Sequence, residues 1–194
     1  MVSAQHGESE LYVGNDCDSH KGLLKLSYPM NHGIVENWED MEEVWKATYS
    51  KLKITNPKEH NVLITEPALN PYKNRVKIAE IFFESLGAPG IYFENQAVLS
   101  LYAQGKTTGV VMDVGDGVTQ VVPIVEGFTI RGGAAIQRQD LGGRDVTHYL
   151  MQLLRREGYH SLHTSAEFQI VKTIKEKFCT HLQKAQADKE YSSH

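Results

Sequence analysis

The stretch that decides the fold is Gly109–Gly127, GVVMDVGDGVTQVVPIVEG. Two runs rich in β-branched residues flank an acidic, glycine-dense centre at residues 113–117. Asp-Gly between alternating apolar runs is the commonest short hairpin signal, because glycine adopts the positive φ that a primed turn requires. The stretch predicts a β-hairpin, and on this pattern alone a plain turn at Asp116-Gly117 is favoured by roughly two to one over a functional loop.

The same loop holds more than a turn requires. Gly115 lets the backbone approach a ligand closely, and consecutive backbone N–H groups can bind phosphate oxygens as an anion nest. Asp113, at the C-terminal end of the first predicted strand, is placed to hold the hydrated Mg²⁺ of a nucleotide. The residues alone leave both interpretations open, an ordinary hairpin turn or a phosphate-binding loop.

Composition and charge narrow the class of protein. The 194 residues are 41% hydrophobic and 23% charged, as expected of one globular domain or two small ones. The net charge of -4, without a basic stripe, argues against nucleic acid and anionic membranes as partners. Cys17 and Cys179 have no metal-ligand spacing and predict reduced thiols. With no signal-peptide pattern and no run long enough to cross a bilayer, the sequence predicts a cytosolic or nuclear protein.

The part of the chain before the hairpin alternates predicted strands and helices. NVLITEP (61–67) and GIYFE (90–94) are short apolar runs typical of buried strands. Asn37 and the pair Asn70-Pro71 have the N-cap signature of the helices that follow. Because strand, helix, strand and helix follow in order, we expect a partly parallel α/β sheet. The first helix is expected to bury one face formed by Trp38, Met41, Val44 and Trp45.

The ends of the chain are predicted from weaker signals. Polar, turn-rich residues 1–22 predict a flexible loop with one short strand. The hairpin is expected to continue into a meander whose third strand is FTIRGGAAIQ (128–137). RDVTHYLMQLLRREG (144–158) ends with basic residues and glycine, as helix C-termini prefer. Thr164 with Glu167 forms a capping box before a last helix.

Seven stretches in order match one known family. They are YVG (12–14), YPMNHGIVENWEDMEEVW (28–45), VLITEPALNP (62–71), QAVLSLYAQGKTTGVVMDVGDGVT (96–119), VPIVEGF (122–128), DLGGRDVTHYLM (140–151) and EFQIVKTIKEKFC (167–179). On these stretches, from residue 1 to about residue 180, the chain resembles actin and the actin-related proteins. GLL, YPM and GRDV are similar to the centractin type, TEP and YAQG to the actin-related subunit of the branching nucleator, and YVGNDCDS to conventional actin, so the subtype stays open.

The resemblance implies an α/β, actin-like ATPase fold of the RNase H-like kind. It implies parts of two α/β domains around a cleft for ATP and Mg²⁺ or Ca²⁺. Aligned on the family, the chain is expected to be truncated at both ends, and to lack the first phosphate hairpin. The implied segments are a small outer subdomain with a filament-contact loop (1–28), a partial first α/β domain (29–103), a partial second α/β domain with the phosphate hairpin (104–141), and a partial helical outer subdomain with a frayed tail (142–194).

The resemblance also implies roles for particular residues. Asp113 matches the acidic residue beside the cation, and Gln96 the glutamine that orients the attacking water, which suits phosphoryl transfer because that reaction depends on positioning. His32 matches a histidine near the γ-phosphate. Backbone contacts to the β- and γ-phosphates are implied for Gly115, Asp116, Gly117 and Val118. Elsewhere in the cleft, the resemblance implies Gly143 and Arg144 as lining residues and Lys175 and Glu176 at the purine and ribose.

Two departures from the family bear on hydrolysis. Gln120 stands where the family has a histidine near the attacking water, and glutamine forms hydrogen bonds but cannot become cationic. Val114 replaces a serine that many members place on the γ-phosphate. With the missing first hairpin, these departures predict weak binding of ATP and Mg²⁺ and weak or absent hydrolysis.

Two functions are expected from the resemblance. The first is an actin-family cytoskeletal protein with an ATP-binding cleft, a filament-forming or filament-complex subunit in the cytoplasm whose partners are actin-family subunits or other cytoskeletal proteins. The alternative is a non-enzymatic actin-like module that docks on full-length family partners without nucleotide turnover.

Overall fold

The structure, a computed structural model, describes residues 3–6, 10–20, 25–130 and 135–180. The chain divides into two compact units, Met1–Asp145 and Val146–His194, which are described separately. The predicted frayed tail falls almost wholly outside the described residues. None of the helices within these residues combines the length and apolar character that crossing a membrane requires.

The first unit begins with a three-stranded antiparallel sheet. Its strands are β1 (Ser3–His6), β2 (Glu10–Val13) and β3 (Lys25–Ser27), in the order β2-β1-β3. A 3-10 helix, Gly14–His20, follows β2. The sequence predicted one short strand in this region and missed β1, because its pairing with two neighbours outweighs a segment of low strand propensity.

Helix α1 (Trp38–Lys51) follows a short hairpin of β4 (Met30–Asn31) and β5 (Ile34–Val35). The side-chain oxygen of Asn37 accepts a hydrogen bond from the backbone N–H of Asp40 at 3.1 Å, which confirms the predicted N-cap. The predicted inner face is also confirmed. Met41 and Val44 are buried, and Trp38 and Trp45 pack half-buried against neighbouring core residues.

The second helix connects two parallel strands. β6 (Val62–Glu66) pairs in parallel with β7 (Ile91–Asn95), as the strand-helix-strand order predicted. Between them lie α2 (Tyr72–Glu80) and a π-helical turn at Ile81–Ser85. Residues Ile78 and Phe82 of this segment are buried in the core that the pair shares with α1.

The start of α2 differs from the prediction. Pro71 occupies the N-cap position without a side-chain cap, so Asn70 as N-cap was wrong. The Asn70 side chain instead donates to the Glu66 carboxylate at 3.2 Å, and Arg75 forms an ion pair with the same carboxylate. A carboxylate as buried as that of Glu66 requires donors, and this tertiary demand outweighs local capping.

The glycine-rich stretch forms the centre of a four-stranded sheet. Its strands are β8 (Gly109–Val114), β9 (Thr119–Val125), β10 (Phe128–Thr129) and β11 (Gln137–Gln139), and α3 (Gln96–Ala103) precedes them. β9 pairs antiparallel with β8 along one edge, and with β10 and β11 along the other. The predicted third strand, 128–137, was wrong as a continuous strand, because β10 pairs with the end of β9 and β11 with its beginning.

The two faces of this sheet differ in burial. Val122 and Ile124 of β9 are buried against α3, together with Ala97, Val98 and Leu101. Because side chains alternate along a strand, the neighbouring positions point the other way. On that second face, Val110, Met112 and Val114 of β8 are 68%, 68% and 63% exposed.

Two helices complete the described chain. α4 (Gly143–Arg156) begins in the first unit and continues into the second, and α5 (Ser165–Phe178) lies wholly in the second. The predicted capping box is confirmed at the start of α5. The Thr164 hydroxyl accepts from the Glu167 N–H at 3.3 Å, and the Glu167 carboxylate accepts from the Thr164 N–H at 2.6 Å.

Candidate functional site

The loop between β8 and β9 is Gly115–Val118. The N–H of Gly115 donates to the carbonyl of Val118 at 3.0 Å and closes the loop. The predicted hairpin is confirmed, but the primed turn was wrong, since neither Gly115 nor Gly117 has a positive φ. The four-residue connection reverses the chain without a left-handed residue.

Glycine is required here by close approach between backbone segments. A Cβ at Gly117 would lie 3.3 Å from the Cα of His32 and 3.4 Å from its backbone nitrogen. A Cβ at Gly142 would lie 2.4 Å from the carbonyl oxygen of Asp116. The loop is therefore held between the segment at His32 and the segment at Gly142. A side chain at Gly142 would overlap the loop backbone, and one at Gly117 would require a small shift of the His32 segment.

The carbonyl groups of Gly115, Asp116 and Gly117 all accept hydrogen bonds from other residues of the first unit. The N–H groups of Gly143 and Arg144, the first residues of α4, donate to the carbonyls of Gly115 and Asp116 at 3.0 and 2.8 Å. His32 Nδ1 lies 2.7 Å from the carbonyl oxygen of Gly117 and, because that oxygen only accepts, Nδ1 is the donor.

These contacts fix the direction of the loop's N–H groups. In a trans peptide the N–H points opposite to the C=O of the preceding residue. The Gly117 N–H therefore points away from the Arg144 N–H, and the Val118 N–H points away from the His32 ring. Neither N–H has an acceptor within the part of the chain that the structure describes. The loop thus holds two adjacent N–H groups without a described acceptor, one on half-buried Gly117 and one on buried Val118.

One cation lies beside the loop. Arg144 Nε is 3.6 Å from a carboxylate oxygen of Asp116, and its guanidinium lies 4.7 Å from the centre of the Tyr28 ring. The ring and the carboxylate fix a positive charge next to Asp116, at a partly exposed position where it can attract anions.

Three predicted site residues meet behind the loop. Asp113 and Gln120 are opposite each other in the β8–β9 register, and Gln120 Nε2 donates to Asp113 Oδ2 at 3.1 Å. The same nitrogen lies 3.5 Å from Gln96 Oε1. Gln96 is in the first turn of α3, where Asn95 caps the helix by accepting from the Ala97 N–H at 2.9 Å. The structure therefore brings Asp113, Gln96 and Gln120 into one cluster.

Gln120 is fully buried at 0% exposure. Its Oε1 accepts a hydrogen bond from the backbone N–H of Ala68, just after β6, at 2.7 Å. The side chain thus joins the β8–β9 hairpin to the end of the parallel strand pair.

Sequence reasoning missed Arg138. Its guanidinium donates to the carbonyls of Ala68 and His32 at 3.0 and 2.7 Å, and its side chain is 9% exposed. It lies opposite Gln120 in the β9–β11 register. The pattern QRQ predicts a solvated arginine, and only the long-range fold brings these carbonyls to it.

Lys175 and Glu176 lie on α5 in the second unit. They are not part of the Asp113, Gln96 and Gln120 cluster, which lies in the first unit. Lys172 Nζ is 4.0 Å from the Glu176 carboxylate, an i,i+4 pair along the helix. Lys175 is half-buried and Glu176 is exposed.

The possible cation ligand is a single carboxylate. No group of three or more His, Cys, Asp or Glu gathers into a metal site among the described residues. Mg²⁺ usually keeps several waters and binds one or two carboxylates together with substrate phosphates. Asp113 fits that mode of binding, because only its Oδ2 carries a hydrogen bond within the described chain.

The fold defines an α/β protein with a parallel strand pair, a glycine-rich antiparallel hairpin and two C-terminal helices. A family model described as Actin matches residues 1–194, the whole chain. The chain therefore belongs to the actin family. Members of this family generally bind ATP and a divalent cation, and they are generally cytoplasmic and cytoskeletal.

Proposed function

We propose that this actin-family protein binds ATP with Mg²⁺ or Ca²⁺ through the loop Gly115–Val118 and Asp113, and that it hydrolyses ATP slowly or not at all. The observation that carries the proposal is the polarity of the loop. Its carbonyl groups at residues 115–117 are bonded within the chain, while the N–H groups of Gly117 and Val118 have no acceptor in the described residues.

The surroundings of the loop favour an anion. The loop lies at the N-terminus of α4, where the helix dipole creates a positive potential, and the N–H groups of Gly143 and Arg144 there already bond to the loop carbonyls. The Arg144 guanidinium adds a positive charge, and the Asp116 carboxylate beside it offsets part of that charge. Phosphate oxygens match both features, since they are strong acceptors and carry negative charge.

Asp113 supplies the complementary ligand. One of its oxygens is held by Gln120, so the second can accept a hydrogen bond from the water shell of a cation bound to the phosphates. By family resemblance we further propose Gln96 for orienting the attacking water. The purine and ribose roles that the resemblance implies for Lys175 and Glu176, on the second unit, stay predictions.

Slow or absent turnover follows from the state of Gln120. Its carbonyl accepts from Ala68, its amino group faces Asp113 and Gln96, and the side chain is fully buried, so it is poorly placed to polarise a water. Glutamine also cannot take up a proton at neutral pH. Within the proposed site, hydrolysis then depends on Gln96 as a positioning group alone.

The biological setting that we propose follows the family. The protein acts as a cytoskeletal subunit in the cytoplasm, in a filament or a filament complex with other actin-family subunits. Nucleotide binding is the part of this proposal that the loop geometry supports directly.

The test is a titration of the purified protein with a fluorescent ATP analogue in Mg²⁺. Asp113→Ala should weaken binding by about tenfold, or about 1.4 kcal/mol, because the cation loses its protein carboxylate. Glu39→Ala, which removes an exposed carboxylate on α1, should leave the affinity unchanged. Equal affinities of wild type and Asp113→Ala would remove Asp113 from the site.

A second candidate function is a non-enzymatic module that docks on full-length actin-family partners. The saturated, fully buried Gln120 favours it, because it leaves that position without a group to assist hydrolysis. Co-sedimentation with actin filaments, with and without ATP, separates the candidates. A docking module should sediment equally in both conditions, whereas a nucleotide-dependent subunit should not.

A further inference from the structure

Gln120 joins three separate parts of the first unit. It lies on β9, donates to Asp113 on β8, approaches Gln96 on α3 and accepts from Ala68 after β6. A fully buried amide requires partners for both its carbonyl and its amino group, and these contacts supply them.

The contacts allow only one orientation of the amide. A backbone N–H can only donate, so the Ala68 N–H must face the Gln120 carbonyl oxygen. The amino group is then turned towards the carboxylate of Asp113, which accepts. Ala68 therefore determines which end of Gln120 meets Asp113.

This orientation divides the roles of the two Asp113 oxygens. Oδ2 is held by the Gln120 amino group, and Oδ1 has no hydrogen-bond partner in the described part of the chain. Because the glutamine amide is neutral and does not titrate, it holds the carboxylate without neutralising its charge. The full negative charge of Asp113 remains for a ligand.

The anchor at Ala68 is itself held from the other side. The Ala68 carbonyl accepts from Arg138, which also donates to the carbonyl of His32, and His32 donates to Gly117 in the loop. Asp113 and the loop are thus tied at two points to one partly buried network.

We propose that Gln120 is a positioning residue for divalent cation binding: anchored by the Ala68 N–H, it orients Asp113 so that one carboxylate oxygen faces the cation that accompanies the nucleotide. The inference rests on the proposed nucleotide site. It assigns Gln120 an action through Asp113, without contact to the attacking water or the phosphates.

The test separates positioning from stability by measuring two affinities for one fluorescent ATP analogue, one in Mg²⁺ and one in EDTA. The ratio of these affinities reports the contribution of the cation. In Gln120→Met, which keeps the volume but loses both hydrogen bonds, the ratio should fall about fivefold, the factor expected for one hydrogen bond of typical net strength. The affinity in EDTA should stay unchanged.

Val122→Ala is the matched control, because Val122 is equally buried on the same strand and face but contacts neither Asp113 nor Ala68 through a hydrogen bond. It should lower the thermal midpoint and leave the ratio unchanged. Gln120→Asn gives a second variant should Gln120→Met fail to fold. Its shorter side chain keeps an amide but cannot span Ala68 and Asp113, so its ratio should also fall.

The outcomes separate this inference from the function on which it rests. If wild type binds the analogue and Asp113→Asn abolishes the Mg²⁺ dependence while both Gln120 variants retain it, the positioning role is overturned and the site stands. A ratio lowered equally by Val122→Ala would also overturn it, because general destabilisation would then explain the loss. Absence of Mg²⁺-dependent binding in wild type would overturn both the site and the role of Gln120.

Discussion

The loop Gly115–Val118 and the start of α5 at Thr164–Glu167 are stabilised in opposite ways. The loop's carbonyls bond to residues far away in sequence, such as His32, which is 85 residues from Gly117. The α5 cap is closed by two hydrogen bonds between residues three positions apart. One region depends on the tertiary fold and the other on a tetrapeptide.

This difference predicts how much stability a mutation in each region should remove. A contact in the loop joins segments that the fold has already brought together, so its loss leaves buried polar groups without partners. A contact in the cap stabilises only the first turn of one helix, and water can replace part of it. We therefore expect larger losses in the first region than in the second.

The largest effect is expected for Arg138→Met. It leaves the carbonyls of Ala68 and His32 without their donor, which should lower the free energy of unfolding by about 2–4 kcal/mol. Urea denaturation measures this loss. Arg156→Met, at an exposed position in the last turn of α4, should change it by less than about 0.5 kcal/mol. Equal losses in the two variants would contradict the network.

A smaller loss is expected for Gly142→Ala. The new Cβ would lie 2.4 Å from the Asp116 carbonyl oxygen, so backbone must move, at a cost of about 1–3 kcal/mol. Gly115→Ala is the matched control, because its Cβ would meet the Val118 carbonyl only at 3.4 Å. Thermal unfolding of both variants should rank Gly142→Ala as the less stable, and the reverse order would show that the contact at Asp116 is not tight.

Thr164→Ala tests the local region. It removes the hydroxyl that accepts from the Glu167 N–H and should destabilise the protein by about 1 kcal/mol. Thr164→Ser keeps an acceptor and should remain close to wild type. A loss larger than that of Gly142→Ala in the same denaturation assay would break the comparison between the two regions.

The smallest effect is expected from the pH dependence of the same cap. Hydrogen bonds from the backbone of Thr164 and His163 lower the pKa of Glu167 below its ordinary value. The stabilisation is then complete above the unfolded-state pKa of glutamate, about 4.3, and is lost as pH falls through the lower folded-state pKa. Helicity followed by circular dichroism during acidification should decline less steeply in Glu167→Gln, where that carboxylate is absent.

The same contrast explains what the sequence predicted. Asn37, the Thr164–Glu167 box and the parallel order of β6 and β7 were predicted correctly, because each depends on local spacing or on the order of elements. The hairpin was also predicted, but its loop conformation was not. The glycines at 117 and 142 are explained by other backbone segments, which a local turn rule does not include.

The candidate site was predicted only as far as family resemblance extends. That resemblance selected Asp113, Gln96 and Gln120, and the structure places Gln120 within hydrogen-bonding distance of the other two. It did not select Ala68 or Arg138, since one contributes backbone atoms and the other belongs to an unremarkable polar segment. Backbone partners have no residue-type signal, so only the fold can reveal them.

The hydrogen bond from Arg138 to the His32 carbonyl also sets an order of events in folding. It spans 106 residues, whereas β8 and β9 are joined by a short loop and can pair within about 1–10 μs. Contacts between distant residues form late, because chain closure must come first. The hairpin can therefore form early, but its loop acquires its final hydrogen bonds only when most of the first unit has folded. A ligand selective for the finished loop would bind the native state alone and raise its population by mass action.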